Sequence, residues 1–425
     1  MRWSVSTASS RWSTVSDTAP ARALDHRVRG ARWALLFAFA ALVASTQVLW
    51  LSFAPVTTRA ADALGVSDGA IGDLAVVNPV LYVLLAIPAG RWADRRFGLA
   101  LSTGAGLTAL GALLRAVQPH SYGWVLAGQL VLSAGQPLVL NATTKVAARW
   151  FPATERTRAI AVGSGAQFLG ILVAATTAGP LLDAGGLPLL LGAYAAFATA
   201  GALALVVTLA LVPPAFAPDA GPAPSLSWLR HDRLLLKLAA MLFVGVGLFN
   251  ALATWLDPIL EDLGMPGSGG TLIATTTIAG LVGTAVLPDL ASRRDKRRTV
   301  LLITTLLAVV AFPLVSVLPT VWLVGAALAV VGFFLLAGLP IALDWSELAA
   351  GPERAATATG FLLLAGNLGG AILVLVVQVV VGNPYLALGA FALLAVPGVL
   401  VARTLPDHAG AHRDDESSAA PDPVR

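Results

Sequence analysis

Runs of about twenty predominantly apolar residues follow one another along the whole of this chain. A helix of that length rises about 1.5 Å per residue and so crosses the roughly 30 Å hydrocarbon core of a bilayer. The runs do not alternate polar and apolar residues, as the strands of a membrane barrel do. We therefore predict an all-α membrane protein with twelve transmembrane helices. The predicted spans lie near 33–56, 70–90, 99–117, 122–146, 159–181, 188–213, 237–257, 271–288, 299–318, 320–344, 358–381 and 385–404.

The composition supports this prediction and narrows the chemistry. Of the 425 residues, 57% are hydrophobic and 12% are charged, whereas about 25% are charged in soluble chains. There is no cysteine, which excludes disulfides and thiol chemistry, and the five histidines lie in the tails or in short loops. No Asp, Glu, His, Lys or Arg lies in the middle of a predicted span. We therefore expect no enzyme activity, no cofactor and no metal site.

Basic residues lie almost entirely on one side of the predicted membrane. Of the 27 lysines and arginines, only Arg59 and Arg115 fall on the side that follows the first and third spans. The others lie in the two tails and after the even-numbered spans. Because loops rich in Lys and Arg stay in the cytoplasm, we predict a multi-pass plasma-membrane protein with both termini cytoplasmic. The net charge of +4 then reflects topology, and we expect no nucleic-acid partner.

A loop pattern repeats between the two halves of the chain. Gly90-x-x-x-Asp94-Arg95-Arg96 ends the second span, and Pro288-x-x-x-Ser292-Arg293-Arg294 ends the eighth. Glu155-Arg156 and Glu353-Arg354 form a second pair with the same offset of 198 residues. A parallel duplication of six helices is typical of transporters that bind solute between their halves. The predicted organisation is a disordered tail (1–30), a first half (31–213), a cytoplasmic linker (214–236), a second half (237–405) and a disordered tail (406–425).

The repeated basic loop is also a candidate gate. Asp94 can face a helix N-terminus or a partner arginine, and the loop arginines can reach acids of the opposite half. Such contacts would form only when the cytoplasmic side is closed. The alternative is that these arginines only fix the topology. The predicted cytoplasmic gate comprises Asp94, Arg95, Arg96, Glu155, Arg156, Arg293, Arg294, Asp344 and Glu347.

Three amides lie at one depth in the predicted membrane. Gln136, Asn250 and Asn367 are each thirteen residues from the nearest cytoplasmic charge, which is about 20 Å along a helix. Polar groups there are costly, and a cavity between the halves can accommodate them. Interhelical hydrogen bonding is the alternative role for each amide.

Three further residues complete the predicted substrate site. Gln47 and Trp50 are three residues apart and so share a helix face, and Asn78 is a polar residue of the second span. For Trp50 the alternative is an anchor at the membrane interface.

The loop Gly90-x-x-x-Asp94-Arg95 resembles the signature of the major facilitator superfamily, although Phe97 replaces its second glycine and Leu99-Ala100 its basic pair. Within that superfamily, three segments resemble the feline leukaemia virus subgroup C receptor family, associated with choline, ethanolamine and haem transport. These are LWLSFAPV (49–56), GQLVLSAGQPLVLNATTKVAARWF (128–151) and GLPIALDWSELAAGPERAATATGFLLLAGN (338–367).

The resemblance implies roles for four of the candidate residues. Trp50 is similar to a tryptophan that faces the substrate amine, and Gln136 to a glutamine of the cavity. Asn367 stands where the family has a glutamine of the eleventh helix. Asn250 stands where the choline-carrying members have a tyrosine, a departure that weakens any aromatic cage.

We therefore expect a monomeric secondary transporter that moves a small organic solute by alternating access. Without a titratable group at depth, facilitated uniport is favoured over proton coupling, although an ion held by amide and backbone oxygens would also serve. A choline-like or other organic amine is the expected substrate. Two alternatives remain open at this point, an exporter or importer of organic anions or drugs and a non-transporting membrane receptor of the same fold.

Overall fold

The computed structural model describes residues 19–216, 226–265, 268–317 and 320–407, with side chains from Gly30 onward. Most of both predicted tails and the middle of the linker lie outside the described residues. The first helix begins at Ala19, so a helix occupies part of the segment where the sequence predicts a disordered tail. The helices are α1 (Ala19–Trp50), α2 (Thr57–Leu64), α3 (Asp68–Arg95), α4 (Phe97–Val117), α5 (Tyr122–Leu140), α6 (Thr143–Trp150), α7 (Ala153–Leu211), α8 (Ser227–His231), α9 (Arg233–Asp262), α10 (Gly269–Arg293), α11 (Arg297–Val317), α12 (Val321–Ala350), α13 (Ala355–Gln378) and α14 (Pro384–Arg403).

Eleven of the described helices are long and apolar enough to cross a membrane, and one of them holds two crossings. Helix α7 has 59 residues, about twice the length that one crossing needs. Its helical dihedral angles are interrupted at Gly185 and Gly186, and Gly186 has a φ of +64°, which glycine adopts without steric cost. The break separates the predicted fifth and sixth spans. The prediction of an all-α bundle with twelve spans is therefore confirmed.

The fourth predicted span is also broken, near its C-terminal end. Helix α5 ends at Leu140, and α6 begins at Thr143 after the two-residue turn Asn141-Ala142. Pro137 lies inside α5, where its ring cannot donate a backbone hydrogen bond. Helix α6 contacts α12 and α13 of the second half.

The largest hydrophobic core of the described residues joins the two halves at one end of the bundle. The largest cluster of buried apolar residues combines the first half, including Phe39 and Phe151, with the second half, including Leu287 and Trp345. Two other clusters each belong to a single half, one within residues 48–198 and the other within residues 244–395. We call the shared end, where α3, α6, α10 and α12 terminate, the joined end, and the other the separate end.

Candidate functional site

A cavity lies between the halves and contains all six predicted substrate residues. Its empty volume is about 1140 Å³, part of which is continuous with the space outside the protein. Helices α1, α3, α5, α9 and α13 contribute these six side chains. The residues are Gln47, Trp50, Asn78, Gln136, Asn250 and Asn367. The structure thus brings the predicted residues together, and their contact with substrate stays a prediction.

Trp50, the last residue of α1, has its indole fixed by a neighbouring helix. Its Nε1–H donates to the carbonyl oxygen of Ala75 in α3 at 2.8 Å. The hydrogen bond satisfies the polar atom of the ring, and the half-buried indole forms part of the cavity wall. Because Trp50 lies at the cavity, its position favours a role in the substrate site over a role as an anchor at the membrane interface.

The cavity amides do not bond the helices together. Asn367 Nδ2 donates to the Leu363 carbonyl of its own helix at 2.8 Å, and Gln47 Nε2 to the hydroxyl of its neighbour Thr46 at 3.2 Å. Among the described residues, the side chains of Gln136 and Asn250 make no hydrogen bond, and the buried Asn78 Oδ1 has no partner. Among the described residues, these amide side chains therefore make no hydrogen bond between helices, which was the alternative role predicted for them.

Four polar residues of the cavity wall were not predicted from the sequence: Tyr82 of α3, Gln167 of α7, and Thr304 and Thr305 of α11. Gln167 is buried, and its Nε2 has no hydrogen-bond partner among the described residues. The signal was available, because Gln167 is a single amide within the apolar run of the fifth span. Its depth, counted in residues from the nearest charge, differs from that of the other amides, because it lies only nine residues beyond Arg158.

Tyr82 connects the cavity to the joined end. Its hydroxyl donates to Asn141 Oδ1 at 2.5 Å, and Asn141 Nδ2 donates to the Ala86 carbonyl at 2.7 Å. Asn141 caps α5 at the turn that leads into α6. The side chains of Tyr82 and Asn141 therefore tie the cavity wall to the break between α5 and α6.

At the joined end, the Asp94 carboxylate hydrogen-bonds to the amino terminus of α13. Its oxygens accept hydrogen bonds from the backbone N–H groups of Ala356 and Thr357 at 3.1 and 2.9 Å, and from the Thr357 hydroxyl at 2.5 Å. The buried Lys145 ammonium of α6 lies 3.1 Å from the same carboxylate. Asp94 therefore faces a helix N-terminus, where an anion is stabilised, and not an arginine of the opposite half.

Glycines allow α3 and α13 to pack backbone against backbone beside Asp94. A Cβ atom at Gly90 would come within 2.8 Å of the Ala356 carbonyl oxygen and of the Thr357 Cα. A Cβ atom at Gly360 would come within 2.8 Å of the Ala86 carbonyl oxygen. The close approach explains the glycine four residues before Asp94 in the loop pattern, because any side chain would separate the helices.

A second group of polar contacts joins α7 to α10 and α12. Arg156 bonds Glu347 at 2.9 Å, and the Thr157 hydroxyl donates to Asp344 at 2.6 Å. Asp344 also accepts from Arg297 of α11 at 2.8 Å. Asp94, Arg156, Asp344 and Glu347 of the predicted gate thus lie in contacts between the halves.

The other predicted gate residues do not reach the opposite half. Arg95 and Arg96 are exposed, and neither forms an ion pair with another described residue. Arg95 follows Asp94 by about 100° of helix rotation, and Arg96 lies just past the end of α3 with non-helical dihedral angles. Arg294 is likewise exposed and without a described ion pair.

Two more gate residues pair within their own half. Glu155 lies 3.1 Å from Arg32, and Arg293 lies 3.0 Å from Asp289 one turn before it in α10. The expectation that the loop arginines reach Glu155, Asp344 and Glu347 is therefore wrong for Arg95, Arg96, Arg293 and Arg294. Lys145 and Arg297, which the sequence analysis did not select, bond the buried acids instead.

One arginine, at the end of the third predicted span, is buried in the first half. Arg115 is 1% exposed and donates to the Leu49 carbonyl at 2.8 Å, to Gln129 Oε1 at 3.0 Å and to the Ser52 hydroxyl. A cation is favourable at the carboxyl end of α1, where backbone carbonyls lack helical partners. Arg115 therefore fixes the end of the helix that carries Trp50.

The arrangement of helices and cavity agrees with sequence comparison. The family model described as Major Facilitator Superfamily matches residues 28–374. The chain belongs to the Major Facilitator Superfamily. Superfamily members are membrane transporters and not enzymes, so the chain is an integral membrane protein of the transporter class with a small-molecule substrate.

Curated relatives support the resemblance to the feline leukaemia virus subgroup C receptor family. The zebrafish protein "Solute carrier family 49 member A3" is 30% identical over 389 residues, which are 85% of this chain and 81% of that protein. The human "Choline/ethanolamine transporter FLVCR2" is 25% identical over 377 residues, which are 81% of this chain and 71% of that protein.

Solved structures of the superfamily share the fold. The E. coli fucose:proton symporter FucP superposes with a TM-score of 0.69 at 17% identity, over 89% of this chain and 98% of that one. The human organic anion transporter MFSD10 superposes with a TM-score of 0.68 at 16% identity, over 87% and 99% of the two chains. At these identities the likeness shows the fold alone.

Proposed function

We propose that this protein is a facilitative transporter that moves a small organic amine of the choline or ethanolamine type by alternating access. The observation that carries the proposal is the set of uncharged amides and one tryptophan around a single cavity, beside a joined end held by contacts between the halves. The relative named as a choline/ethanolamine transporter supports the substrate class.

The orientation in the membrane is part of the proposal. The joined end carries the arginine-rich loops, so the positive-inside rule assigns it to the cytoplasm, together with both termini. The separate end then faces outward, and the conformation is outward-facing. The protein works as a monomer in the plasma membrane, since each chain contains both halves and the cavity between them.

The lining chemistry supports a cation more than an anion. A quaternary ammonium over the face of Trp50 would gain about 2 kcal/mol when desolvated. Amide oxygens of Gln136 and Asn78 can accept hydrogen bonds from an amine or a hydroxyl group. The described lining residues include no Lys or Arg to neutralise an organic anion.

The same lining supports movement without proton coupling. A coupled proton needs a group at the substrate site whose protonation changes affinity, and the described lining residues include no Asp, Glu or His. Substrate flux should therefore follow the substrate gradient.

Reconstitution tests the proposal directly. The full chain in liposomes should take up radiolabelled choline or ethanolamine down its gradient, at the same rate with and without imposed pH or sodium gradients. Uptake of a labelled organic anion should stay at the level of empty liposomes. Correctly inserted protein that carries no amine would contradict the proposal. Amine binding without flux would then favour the receptor alternative.

A further inference from the structure

The two sides of the cavity differ in their free hydrogen-bonding capacity. Four amides of the first half line it, and two of them, on Asn78 and Gln167, each have a buried polar atom without a partner in the described part of the chain. Buried polar atoms left unpaired are costly, so they favour a ligand that supplies partners. The first half therefore offers donor and acceptor groups to a polar head.

The second half presents mainly hydrocarbon to the same space. Met241 of α9 and the α12 leucines Leu335 and Leu339 line it, together with Phe249 and Leu363. These side chains come from three helices, so apolar groups predominate on the second-half side of the cavity.

The polar groups of the second half have less capacity to spare. The hydroxyls of Thr304 and Thr305 donate to carbonyls of their own helix, and Asn367 donates to Leu363. The Asn250 amide packs against the α13 backbone, since a Cβ atom at Gly370 would lie 2.3 Å from its Nδ2. The Asn250 side chain makes no hydrogen bond to a described residue, so the second half has one such amide, against three in the first half, on Asn78, Gln136 and Gln167.

We infer that the substrate is an amphiphile, with a hydrogen-bonding amine head against the first half and an alkyl chain of several carbons against the second. The inference rests on the proposed function and names its substrate class more narrowly. Apolar side chains of α9, α12 and α13 line the second-half side of the cavity, so an alkyl chain attached to the amine would have hydrocarbon to pack against.

A homologous series of ligands measures the alkyl contribution. Ethanolamine and its N-methyl, N-butyl and N-hexyl derivatives are titrated calorimetrically onto the full chain in lipid nanodiscs, with empty nanodiscs as the blank. Each added methylene that becomes buried should tighten the dissociation constant up to about four-fold. An affinity that stays level or falls with chain length overturns the inference, while binding of ethanolamine itself keeps the proposed function. Failure of the whole series to bind overturns both.

Variants locate the chain and the head within the cavity. Met241→Gln, nearly isosteric, and Leu339→Asn should reduce the gain in affinity per methylene. Gln167→Leu should weaken every member of the series by one common factor, about 5- to 150-fold, with the gain per methylene preserved.

The matched control lies in an apolar crevice elsewhere, between α9, α13 and α14, where Leu394 and Phe243 form the lining. Leu394→Asn should leave the whole series unchanged. A loss of the chain-length effect in Leu394→Asn, with none in Met241→Gln, would place the alkyl chain in this crevice and overturn the inference.

Discussion

Asp94 Oδ2 accepts hydrogen bonds from both the backbone N–H and the side-chain hydroxyl of Thr357, at 2.9 and 2.5 Å. The two residues belong to opposite halves, so one carboxylate links α3 to the first turn of α13. The same carboxylate accepts a hydrogen bond from the buried Lys145 ammonium. Asp94 therefore satisfies a helix terminus of the opposite half and a buried cation of its own half at once.

Asp94→Ala should cut transport sharply in protein that is still folded and inserted. Removing one partner of a buried ion pair leaves the other charge uncompensated, at a cost of about 3–5 kcal/mol, which here falls on the joined conformation. Asp183→Ala is the control, because Asp183 pairs with Arg59 at an exposed position. Initial uptake rates in liposomes, corrected for inserted protein, measure both. Equal losses at the two positions would show that the joined end has no special need of Asp94.

Gly90→Ala should separate α3 from α13 at the joined end. The added methyl group would lie 2.8 Å from backbone atoms of Ala356 and Thr357, which cannot move independently of their helix. Gly98→Ala is the matched control, since nothing lies within 4 Å of a Cβ atom there. A single cysteine at Thr144, which bonds Thr359 across the halves, reports the change. Its labelling in detergent should become faster in Gly90→Ala and stay unchanged in Gly98→Ala, and the opposite order would refute the packing argument.

Gln136→Ala should weaken amine binding without lowering the melting temperature. Its side chain makes no hydrogen bond to a described residue, so its loss removes a ligand partner, worth about 1–3 kcal/mol or 5- to 150-fold in affinity. Asn141→Ala, five residues on, should instead lower the melting temperature, because Asn141 bonds Tyr82 and Ala86 of another helix. Calorimetric titration and thermal unfolding of both purified variants separate the two effects. If Gln136→Ala had a lower melting temperature and the amine affinity of the parent protein, the role of Gln136 would be structural.

Trp50 should act through the face of its ring. Trp50→Phe keeps an aromatic face and should retain part of the transport activity, whereas Trp50→Ala should lose most of it. The hydrogen bond of Nε1 to Ala75 is lost in both variants, so it cannot account for a difference between them. Uptake of labelled choline at subsaturating concentration measures the comparison. Equal activities for Phe and Ala would exclude a contribution of the ring.

An impermeant thiol reagent can test the proposed orientation, because the chain has no cysteine of its own. Ala63→Cys in α2, at the separate end, should be labelled in intact cells, and Gly98→Cys only after the membrane is made permeable. Both positions are exposed, and nothing lies within 4 Å of a Cβ atom at Gly98. Gly65 and Gly264 are poorer sites, since their positive φ angles of +65° and +80° strain any other residue. The reverse labelling pattern would invert the topology.

Local patterns in the sequence were enough to predict the helices and the depth of the cavity amides. Hydropathy selects the segments that enter a bilayer, and the constant rise of a helix converts residue counts into depth. Gln136, Asn250 and Asn367 reach one cavity for that reason. Gln167 was not predicted in this way, because its nearest charge, on Arg158, lies within the same helix and only nine residues away.

By itself, the sequence determined the fold class, the twelve crossings and the repeated loops that mark the joined end. The tertiary structure alone decided which charges meet there. Asp94 pairs with Lys145 and the amino terminus of α13, while its neighbours Arg95 and Arg96 stay exposed. Which charges pair depends on how far each helix is rotated about its axis and on where α5 ends and α6, which carries Lys145, begins. Both are set by contacts between residues distant in the chain, such as Gly90 against Ala356, which no local pattern encodes.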